Sequence, residues 1–320
     1  MKTIQIVVLI LLFIRCNVGD NEQGHLPSEV ILGKHQIDQV EFKNDLIYIE
    51  IPSGLDTLTF FTDTGGGRFV FPEITTPTEL NIDSTFDSNG WSESIVLGDF
   101  FEERNIPSPF GPMPIYRGEK FRSDFNAGLL GSFWFGKRKW EIDYENDKLS
   151  ILDSVNWSLV KEENTIDLGF QKDSADQFTT YFPSVEIVVE YDTIPVLFDS
   201  GATITFSDEA IDSIGSEKTI AGSFIIASIF DKWRTEHPGW KYLKNGDQSV
   251  GEDVIEVPQV KIGNHTVGPV WFARRNDSNF TEWMSKWMDR TIEGAIGGSC
   301  FKHFESVIID YPNEKALFLK

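Results

Sequence analysis

Two acidic residues each interrupt an otherwise apolar stretch of this chain. Asp63 follows LTFFT and begins the triplet Asp-Thr-Gly, and Asp199 follows PVLF and begins the triplet Asp-Ser-Gly. Asp, Ser and Gly are ordinary residues of tight turns, so one such triplet alone indicates no more than a turn at a strand end. A buried carboxylate is costly unless it is paired. Two carboxylates that share one proton can act as general acid and general base on a single water, which is a reason to bury both.

The two triplets belong to a longer internal repetition. Residues 128–152, GLLGSFWFGKRKWEIDYENDKLSIL, resemble residues 294–319, GAIGGSCFKHFESVIIDYPNEKALFL, with one extra residue in the second copy. In both halves the Asp-Gly triplet comes first and a Gly-apolar-apolar-Gly element follows, ending at Gly131 and at Gly297. Unrelated turns would not share an ordered pair of motifs, so the sequence indicates a duplication.

The composition of the 320 residues favours packed cores, because 40% are hydrophobic and 13% are aromatic. The formal net charge of −22 argues against nucleic acid as a partner, since such a partner requires a basic surface. The sequence has no His-Glu-x-x-His, no Gly-x-Ser-x-Gly and no P-loop, and its five histidines form no cluster of ligands. We therefore predict no metal and no cofactor. Cys300 has an apolar setting and is predicted to be a buried, inert thiol.

Residues 1–19 are typical of an export signal. A positive charge near the start precedes the apolar residues 4–14, which are too few to span a bilayer. An alternative is a shorter signal, residues 1–15, with a lipid anchor on Cys16, although the arginine before this cysteine is unusual for a lipoprotein. In both cases we expect an exported protein that is periplasmic, anchored at an outer membrane or extracellular.

The rest of the chain is predicted to contain a tether over residues 20–35, a first lobe over 36–152, and a linker with a second lobe over 153–320. Both lobes are predicted to be mostly β, because short apolar or alternating runs are separated by turn residues. Hairpin turns are expected at 145–147 and at 312–314, each between two apolar runs.

Helical periodicity is found in only a few places. One is 220–236, which ends before His-Pro-Gly, as a helix should. Another is 280–290, where Asn279 and Glu282 fit a capping box. The tryptophans and the methionines of this second stretch both recur four residues apart, which favours core packing over a binding surface.

The paired triplets, each followed by its glycine element, resemble aspartic peptidases of the pepsin and retropepsin type. The closing Asp-Tyr-x-Asn-x-Lys segments are similar to those of bacterial exported proteins with two retropepsin-like domains in one chain. The resemblance covers about residues 36–320. It implies two tandem β-barrel lobes with a few short helices, related by a pseudo-two-fold axis in a monomer, and catalysis by Asp63 and Asp199.

The resemblance also implies roles for the residues around the two acids. Thr64 and Ser200 would send their hydroxyl groups across to the opposite loop, and Gly131 and Gly297 would lie against these loops. The other supporting loop residues would be Gly65, Gly66, Gly201 and Ala202. A hairpin over the cleft is expected in each lobe, and residues 91–116 are its expected source in the first.

The first triplet departs from the pattern of the family it resembles. Gly66 and Gly67 stand where Ala, Ser or Thr is usual, and Thr62 stands where an apolar residue is usual. The first lobe would then be looser, or it would have lost its part in catalysis while keeping its shape. Neither Gly66 nor Ala202 offers a hydroxyl group to the acids. We therefore expect the pair to keep its shared proton to a higher pH, with a weakly acidic optimum.

The function predicted from the sequence is that of an exported aspartic endopeptidase. It would hydrolyse peptide bonds with a water activated between Asp63 and Asp199, and its partner would be a peptide or protein substrate. The alternative is a non-catalytic protein that binds peptides or glycans and keeps the same bilobal fold, because a fold does not determine a function.

Overall fold

The structure is a computed structural model that describes residues 29–54, 56–74, 82–87, 90–118 and 122–320. The predicted export signal, Cys16 and most of the predicted tether lie outside these residues. The described chain is mostly β with a few short helices, as predicted.

The strands of the first half are β1 (Ile31–Gln36), β2 (Val40–Lys43), β3 (Leu46–Ser53), β4 (Asp56–Thr62), β5 (Arg68–Val70), β6 (Asp83–Asp87), β7 (Gly90–Ile95), β8 (Met113–Pro114), β9 (Gly128–Leu130), β10 (Lys139–Asp143) and β11 (Lys148–Val155). Those of the second half are β12 (Thr165–Asp167), β13 (Ser184–Val189), β14 (Asp192–Phe198), β15 (Thr203–Thr205), β16 (Thr219–Ala221), β17 (Ser223–Ile226), β18 (Lys241–Asp247), β19 (Glu252–Val257), β20 (Val260–Ile262), β21 (His265–Val267), β22 (Val270–Arg275), β23 (Gly294–Ile296), β24 (Ser306–Asp310) and β25 (Lys315–Leu319).

The helices are short. The α-helices are Gly98–Glu102, Ser132–Phe135, Asp208–Ile214, Ala227–Glu236 and Gly298–Phe301. Single 3₁₀ turns are formed by Pro72–Ile74, Trp157–Leu159, Glu162–Asn164 and Met284–Trp287, and a π turn by Asn279–Trp283. The helix Asp208–Ile214 shows how local sequence sets such bounds, because the Ser207 hydroxyl accepts a hydrogen bond from Ala210 N and Gly215 ends the helix at a positive φ of 64°.

The two halves build sheets around the same central pairing. In the first sheet the order is β2-β3-β4-β9-β5, and in the second it is β18-β19-β22-β17-β23-β14-β13-β20-β21. Strand β4 runs parallel to β9, and β14 runs parallel to β23. Each strand that leads into a triplet Asp is therefore hydrogen-bonded to the strand that leads into the glycine of the same half.

A third sheet joins the halves, in the order β1-β11-β10-β24-β25-β12. Each half supplies three of its strands, so the order reads equivalently from both edges. The repeated Asp-Tyr-x-Asn motif makes Asp143 equivalent to Asp310, and hence Glu141 equivalent to Ile308. These two equivalent residues are paired with each other in the antiparallel ladder between β10 and β24. The pseudo-two-fold axis therefore passes through this pair, which confirms the predicted relation between the lobes.

The joining sheet begins earlier than the predicted lobe boundaries. Strand β1 consists mostly of residues assigned to the tether and pairs with β11, and β11 itself continues to Val155, beyond the predicted end of the first lobe. Strand β12 lies in the predicted segment 153–320, which combines the linker with the second lobe, and pairs with β25. Strands β1 and β12 are thus the two outer strands of this sheet.

The two predicted hairpin turns are present, and each is held by its own aspartate. Asp143 Oδ1 accepts hydrogen bonds from Asn146 N at 2.9 Å and from Asn146 Nδ2 at 3.1 Å. Asp310 accepts from Asn313 N at 3.1 Å and from Asn313 Nδ2 at 2.8 Å. The spacing Asp-x-x-Asn predicts a turn for a physical reason, because the Asp carboxylate accepts hydrogen bonds from the backbone and side chain of the Asn.

The predicted helix over 220–236 is correct only in its second part. The helix covers Ala227–Glu236, whereas β16 and β17 occupy the preceding residues. Strand β17 lies between β22 and β23, so Phe224, Ile225 and Ile226 are fixed by sheet partners on both sides. Tertiary pairing overrides the helical pattern here, as is common for β-branched residues.

The predicted regular helix over 280–290 is wrong. The chain forms a π turn and then a 3₁₀ turn that ends at Trp287, and no side chain caps its start. The predicted core packing holds for the methionines only. Met284 and Met288 are buried, whereas Trp283 is 64% exposed and Trp287 is 49% exposed.

The sheets of the described residues are open, each with two edge strands, so the expectation of closed barrels is wrong. The core is nonetheless continuous across the halves, and Phe198 stacks on Phe301 with ring centroids 4.2 Å apart. Cys300 is fully buried in this core, as predicted, and burial raises the pKa of its thiol to about 12. Within the described parts of the chain, no helix is both long and apolar enough to cross a membrane.

Candidate active site

The two triplets stand at the ends of the strands that lead into the centre of each half. Asp63 N donates to Leu130 O at 3.1 Å, and Asp199 N donates to Ile296 O at 2.9 Å. Each of these carbonyl groups belongs to the residue directly before Gly131 or Gly297. The parallel pairing of two strands therefore continues into each triplet and fixes where the carboxyl group emerges.

The triplets of the two halves are locked together by their second residues. Thr64 Oγ1 donates to Phe198 O at 2.9 Å and accepts a hydrogen bond from Ser200 N at 2.9 Å. In return, Ser200 Oγ accepts from Thr64 N at 3.2 Å. Thr64 and Ser200 are completely buried, so these bonds are made away from water. The structure thus brings the two predicted loops into direct contact through the residues that the resemblance singled out.

The third residue of each triplet lies against the acid of the other. A Cβ atom added to Gly65 would come within 2.5 Å of Asp199 Cγ, and one added to Gly201 would come within 2.2 Å of Asp63 Cγ. Real Cβ atoms do not approach so closely. Glycine is therefore required at both positions by close approach, and the reciprocal contacts follow the pseudo-two-fold axis.

Asp63 and Asp199 face each other across this axis, and their side chains hydrogen-bond. Each carboxyl group is also held by its own loop, because Gly65 N donates to Asp63 Oδ1 at 2.8 Å and Gly201 N donates to Asp199 Oδ1 at 3.1 Å. Asp199 is only 8% exposed, and Asp63 is partly exposed. The predicted catalytic residues are thus adjacent, oriented and largely removed from water.

The two acids differ in how firmly they hold a proton. Burial raises the pKa of Asp199 well above its ordinary value, and the neighbouring charge of Asp63 raises it further. Burial also raises the pKa of Asp63, but the hydrogen bond from Asp199, the N–H of Gly65 and the guanidinium of Arg122 oppose this rise. Both carboxyl groups therefore hold a proton more firmly than a free aspartate, and the rise in pKa is greater for Asp199.

The unusual Gly66 has a steric explanation. A Cβ atom at this position would lie 2.5 Å from Asp63 Oδ2 and 2.8 Å from Asp63 Cγ. Gly66 N also donates to the backbone carbonyl of Asp63 at 3.1 Å, as Ala202 N does to Asp199 at 3.2 Å. The glycine leaves room for the carboxyl group of Asp63 while keeping the loop hydrogen bond, so the departure is accommodated within an ordered loop.

Gly131 and Gly297 lie against the triplets, as expected. A Cβ atom at Gly131 would come within 1.6 Å of Gly67 O, and one at Gly297 would come within 2.3 Å of Gly222 O and 2.7 Å of Asp199 O. Ser132 N then donates to Gly66 O at 2.9 Å. The glycine element of each half therefore packs against the loop that carries the Asp triplet of the same half.

Arg122 is a functional candidate that the sequence analysis missed. Its Nη1 donates to Thr203 Oγ1 at 2.9 Å across the lobe interface, and Thr203 Oγ1 donates to Gly201 O at 2.7 Å. Its guanidinium lies over the ring of Phe61 at 4.0 Å, two residues before Asp63. The arginine thus connects the strand of one acid with the loop of the other. The spacing carried no signal, because Arg122 belongs to neither repeated motif.

Arg122 is itself fixed by two neighbours. Its Nε donates to Asp124 Oδ1 at 2.9 Å, its Nη2 donates to Tyr48 Oη at 3.0 Å, and Tyr48 Oη donates to Asp124 Oδ2 at 2.5 Å. Burial alone would raise the pKa of Asp124, but the hydrogen bonds from Arg122 and Tyr48 hold it below its ordinary value. The guanidinium therefore has a defined position beside the acid pair.

A hairpin lies between the Asp and the Gly element of each half. In the first half it is formed by β6 and β7, so it begins at Asp83, earlier than the predicted source 91–116. In the second half it is formed by β18 and β19. The predicted stretch contains β7 and β8 but misses β6, whose residues are too polar to stand out as a strand.

The second hairpin is anchored by a buried ion pair. Asp247 is completely buried, accepts from Arg275 Nη2 at 2.7 Å, and accepts from Ser249 Oγ at 2.6 Å. Gln248 N donates to Thr205 O at 2.7 Å, next to the loop of Asp199. The tip of the hairpin is therefore tied to the body of its lobe on the side that faces the acids' loops.

Comparison with solved structures gives the fold a name. The aspartic proteinase from Irpex lacteus matches with a TM-score of 0.50 over 90% of this chain and 97% of that chain, at 9% sequence identity. The fold is pepsin-like. Conglutin gamma, a basic 7S globulin from lupine seeds, matches with a TM-score of 0.44 at 10% identity, over 90% of this chain and 94% of that one. No protein-family model and no curated protein matches the sequence. The similarity of the structures therefore supports the pepsin-like fold that the two repeated motifs predicted.

Proposed function

We propose that this chain is an exported aspartic endopeptidase that hydrolyses peptide bonds with a water held between Asp63 and Asp199. The observation that carries the proposal is the reciprocal contact between the two loops. The third residue of each triplet, a glycine, lies against the acid of the other triplet, and hydrogen bonds of Thr64 and Ser200 join the two triplets. A pepsin-like fold alone would not support an activity, because proteins with the same fold can have different functions or no catalytic activity. A matched pair of acids that face each other and have raised pKa values does support one.

The chemistry needs one proton on the pair. We assign the role of base to Asp63, which takes a proton from the water as the water oxygen attacks the carbonyl carbon of the scissile bond. Asp199 gives its proton to the carbonyl oxygen, and a tetrahedral diol forms. Transfer of a proton to the amide nitrogen then allows the carbon–nitrogen bond to break, which releases a carboxylic acid and an amine and restores one proton to the pair.

The direct test is cleavage of a mixed peptide pool by the full chain. Wild-type protein is expected to cleave at defined bonds, and Asp63→Asn and Asp199→Asn are each expected to lose activity by at least about a thousandfold while keeping the fold, since an amide cannot exchange the proton. Asp212→Asn is a matched control, because Asp212 is an exposed residue of the helix Asp208–Ile214. Mass spectrometry of the products and circular dichroism of each variant are the measurements.

A protein that binds peptides without cleaving them would give a different result. The wild type would bind members of the pool, no new termini would appear, and the two Asn variants would bind as well as the wild type. That outcome would reject the enzymatic proposal. Cleavage that persists in both Asn variants would reject the assignment of the two acids.

A further inference from the structure

An open cavity of about 700 Å³ is lined by residues of both lobes. The N-terminal lobe contributes residues 122–124 to its lining, and the C-terminal lobe contributes Thr205, residues 218–219 and the hairpin tip 248–249. All of these residues are polar or charged. A pocket of this size accommodates a side chain with its flanking backbone, and its lining determines which chemistry it accepts.

The cavity is connected to the acids by a short chain of contacts. Arg122, in its wall, donates to Thr203, and Thr203 donates to Gly201 O in the loop of Asp199. On the opposite wall, Thr205 O accepts from Gln248 N. Two hydrogen bonds thus connect the wall of the cavity with the loop of Asp199.

Two cations line the cavity, but one of them is already neutralised. The guanidinium of Arg122 makes two hydrogen bonds to Asp124 and one to Tyr48. Asp124 is the anion among the lining residues, so this pair contributes little net charge. Arg122 is therefore a fixed wall of the cavity, and its charge is compensated.

Lys218 is the second cation, and its charge is weakly compensated. Its side chain is 56% exposed, and its partner is Asp208 Oδ1 at 3.4 Å, on a side chain that is itself 83% exposed. Exposed ion pairs of this kind contribute about 0–1 kcal/mol, so a ligand can replace Asp208 at small cost. The hydroxyl of Ser249 is engaged with Asp247, and the same cavity is lined by the polar residues Gln248, Thr205 and Thr219.

We infer that this cavity is a substrate subsite that accepts an acidic side chain, Glu or Asp, with Lys218 as the cation that recognises its carboxylate. The inference rests on the proposed peptidase function. A carboxylate gains a charge-assisted hydrogen bond from the ammonium group of Lys218.

The net charge of −22 does not oppose this recognition at close range. The Debye length is about 8 Å at physiological ionic strength, so distant surface acids are screened while a carboxylate in contact with Lys218 is not. The overall charge instead slows the approach of acidic peptides at low salt. We therefore expect the preference to be measured best at about 0.15 M salt, where that repulsion is weak.

The test starts from the bonds that the wild type cleaves in a mixed peptide pool. The residues around each cleaved bond are expected to be enriched in Glu and Asp at one position. Synthetic peptides with Glu or Gln at that position are then compared, and the Glu peptide is expected to have a kcat/KM about five to ten times higher. Lys218→Met is expected to remove this ratio, and Lys218→Glu to invert it. Lys244→Met, on the exposed face of β18, is the matched control that keeps it.

The outcomes separate this inference from the function on which it rests. If no peptide is cleaved, the peptidase proposal fails and the subsite fails with it. If cleavage depends on Asp199 but shows no acidic preference, or if Lys218→Met keeps the preference, only the subsite is overturned. Binding of the Glu and Gln peptides to the Asp199→Asn variant gives a readout that does not require turnover, and the same five- to tenfold ratio is expected in Kd.

Discussion

Gly201 lies against Asp63, an acid of the other lobe. A Cβ atom on Gly201 would come within 2.2 Å of Asp63 Cγ and within 2.6 Å of both Asp63 Cβ and Asp63 Oδ1. No rotation of a flexible end removes these contacts, because they involve the base of the Asp63 side chain. The C-terminal lobe therefore determines where the acid of the N-terminal lobe can stand.

The first prediction concerns this contact. Gly201→Ala is expected to move Asp63 and to lower kcat by at least about a hundredfold, since misplacement of a catalytic group by a fraction of an ångström is costly. Gly239→Ala is the control, because open space surrounds that position. Wild-type kinetics in Gly201→Ala would show that the loops are less tightly opposed than described.

A second prediction separates two neighbouring glycines. Gly66→Ser is expected to reduce kcat about ten- to a hundredfold, because its Cβ atom would lie 2.5 Å from Asp63 Oδ2 and must displace the carboxyl group. Gly67→Ser is expected to stay within about twofold of the wild type, because nothing lies within 4 Å of a Cβ atom there. Equal effects of the two substitutions on kcat would contradict the steric explanation of Gly66.

A third prediction links the acid pair to stability. The pKa of Asp199 is raised in the folded protein above its ordinary value of 3.8, so folding binds protons as the pH rises past that value. The buried pair therefore costs no stability at low pH and destabilises the fold progressively as the pH rises through the folded pKa. Asp199→Asn removes this cost. Its Tm is expected to equal that of the wild type near pH 3.5 and to exceed it by roughly 2 °C or more near pH 8.

Differential scanning calorimetry at the two pH values is the measurement. A Tm of Asp199→Asn below that of the wild type near pH 8 would mean that Asp199 is charged in the folded protein and that the proton is held elsewhere.

A fourth prediction concerns the cation beside Asp63. Arg122 lowers the pKa of Asp63, so its removal is expected to raise that pKa. Activity requires Asp63 to be charged, and the acid limb of the kcat/KM profile should therefore move to higher pH in Arg122→Met. Arg122→Lys keeps a charge and should move this limb less. A uniform loss of activity at every pH in both variants would indicate that the arginine supports the structure only.

The fifth prediction concerns the anchor of the second hairpin. Asp247→Asn leaves the guanidinium of Arg275 nearly buried without its counter-ion, and the free energy of unfolding is expected to fall by about 3 kcal/mol or more. The double variant Asp247→Asn/Arg275→Met is expected to recover part of this loss, because it removes the uncompensated charge. Urea denaturation measures both. A loss below about 1 kcal/mol in the single variant would show that the ion pair is not the anchor.

The sequence predicted the centre of the molecule better than its edges. The ordered triplets and glycine elements identified Asp63 and Asp199 because each motif is forced by contacts that only a few residue types allow. The outer strand β1 and the residues before Ala227 were misassigned. Their partners are distant in sequence, and local composition cannot report a partner that is provided by the fold.

Arg122 illustrates the other limit of the sequence. Its role depends on Tyr48, Asp124 and Thr203, which come from three separate segments and meet only in the folded chain. Neither spacing nor repetition marks such a cluster. The weakly acidic pH optimum of activity, expected because Gly66 and Ala202 lack hydroxyl groups, stays a prediction. Burial raises the pKa of both acids, which would shift the optimum to higher pH as well.

The pairing of Glu141 with Ile308 has a consequence for how such a chain can diverge. In an assembly of two identical subunits, a residue on the symmetry axis must face its own copy, so a carboxylate there would meet a second carboxylate. In the fused chain the two positions carry different residues, and Glu141 pairs with Lys34 while Ile308 is buried in the core. In a symmetric dimer each substitution appears in both subunits, whereas in this single chain a substitution changes one half only. The same independence of the halves allows Arg122 to lie near Asp63 without a counterpart at Asp199. Two equivalent carboxyl groups can therefore take different roles.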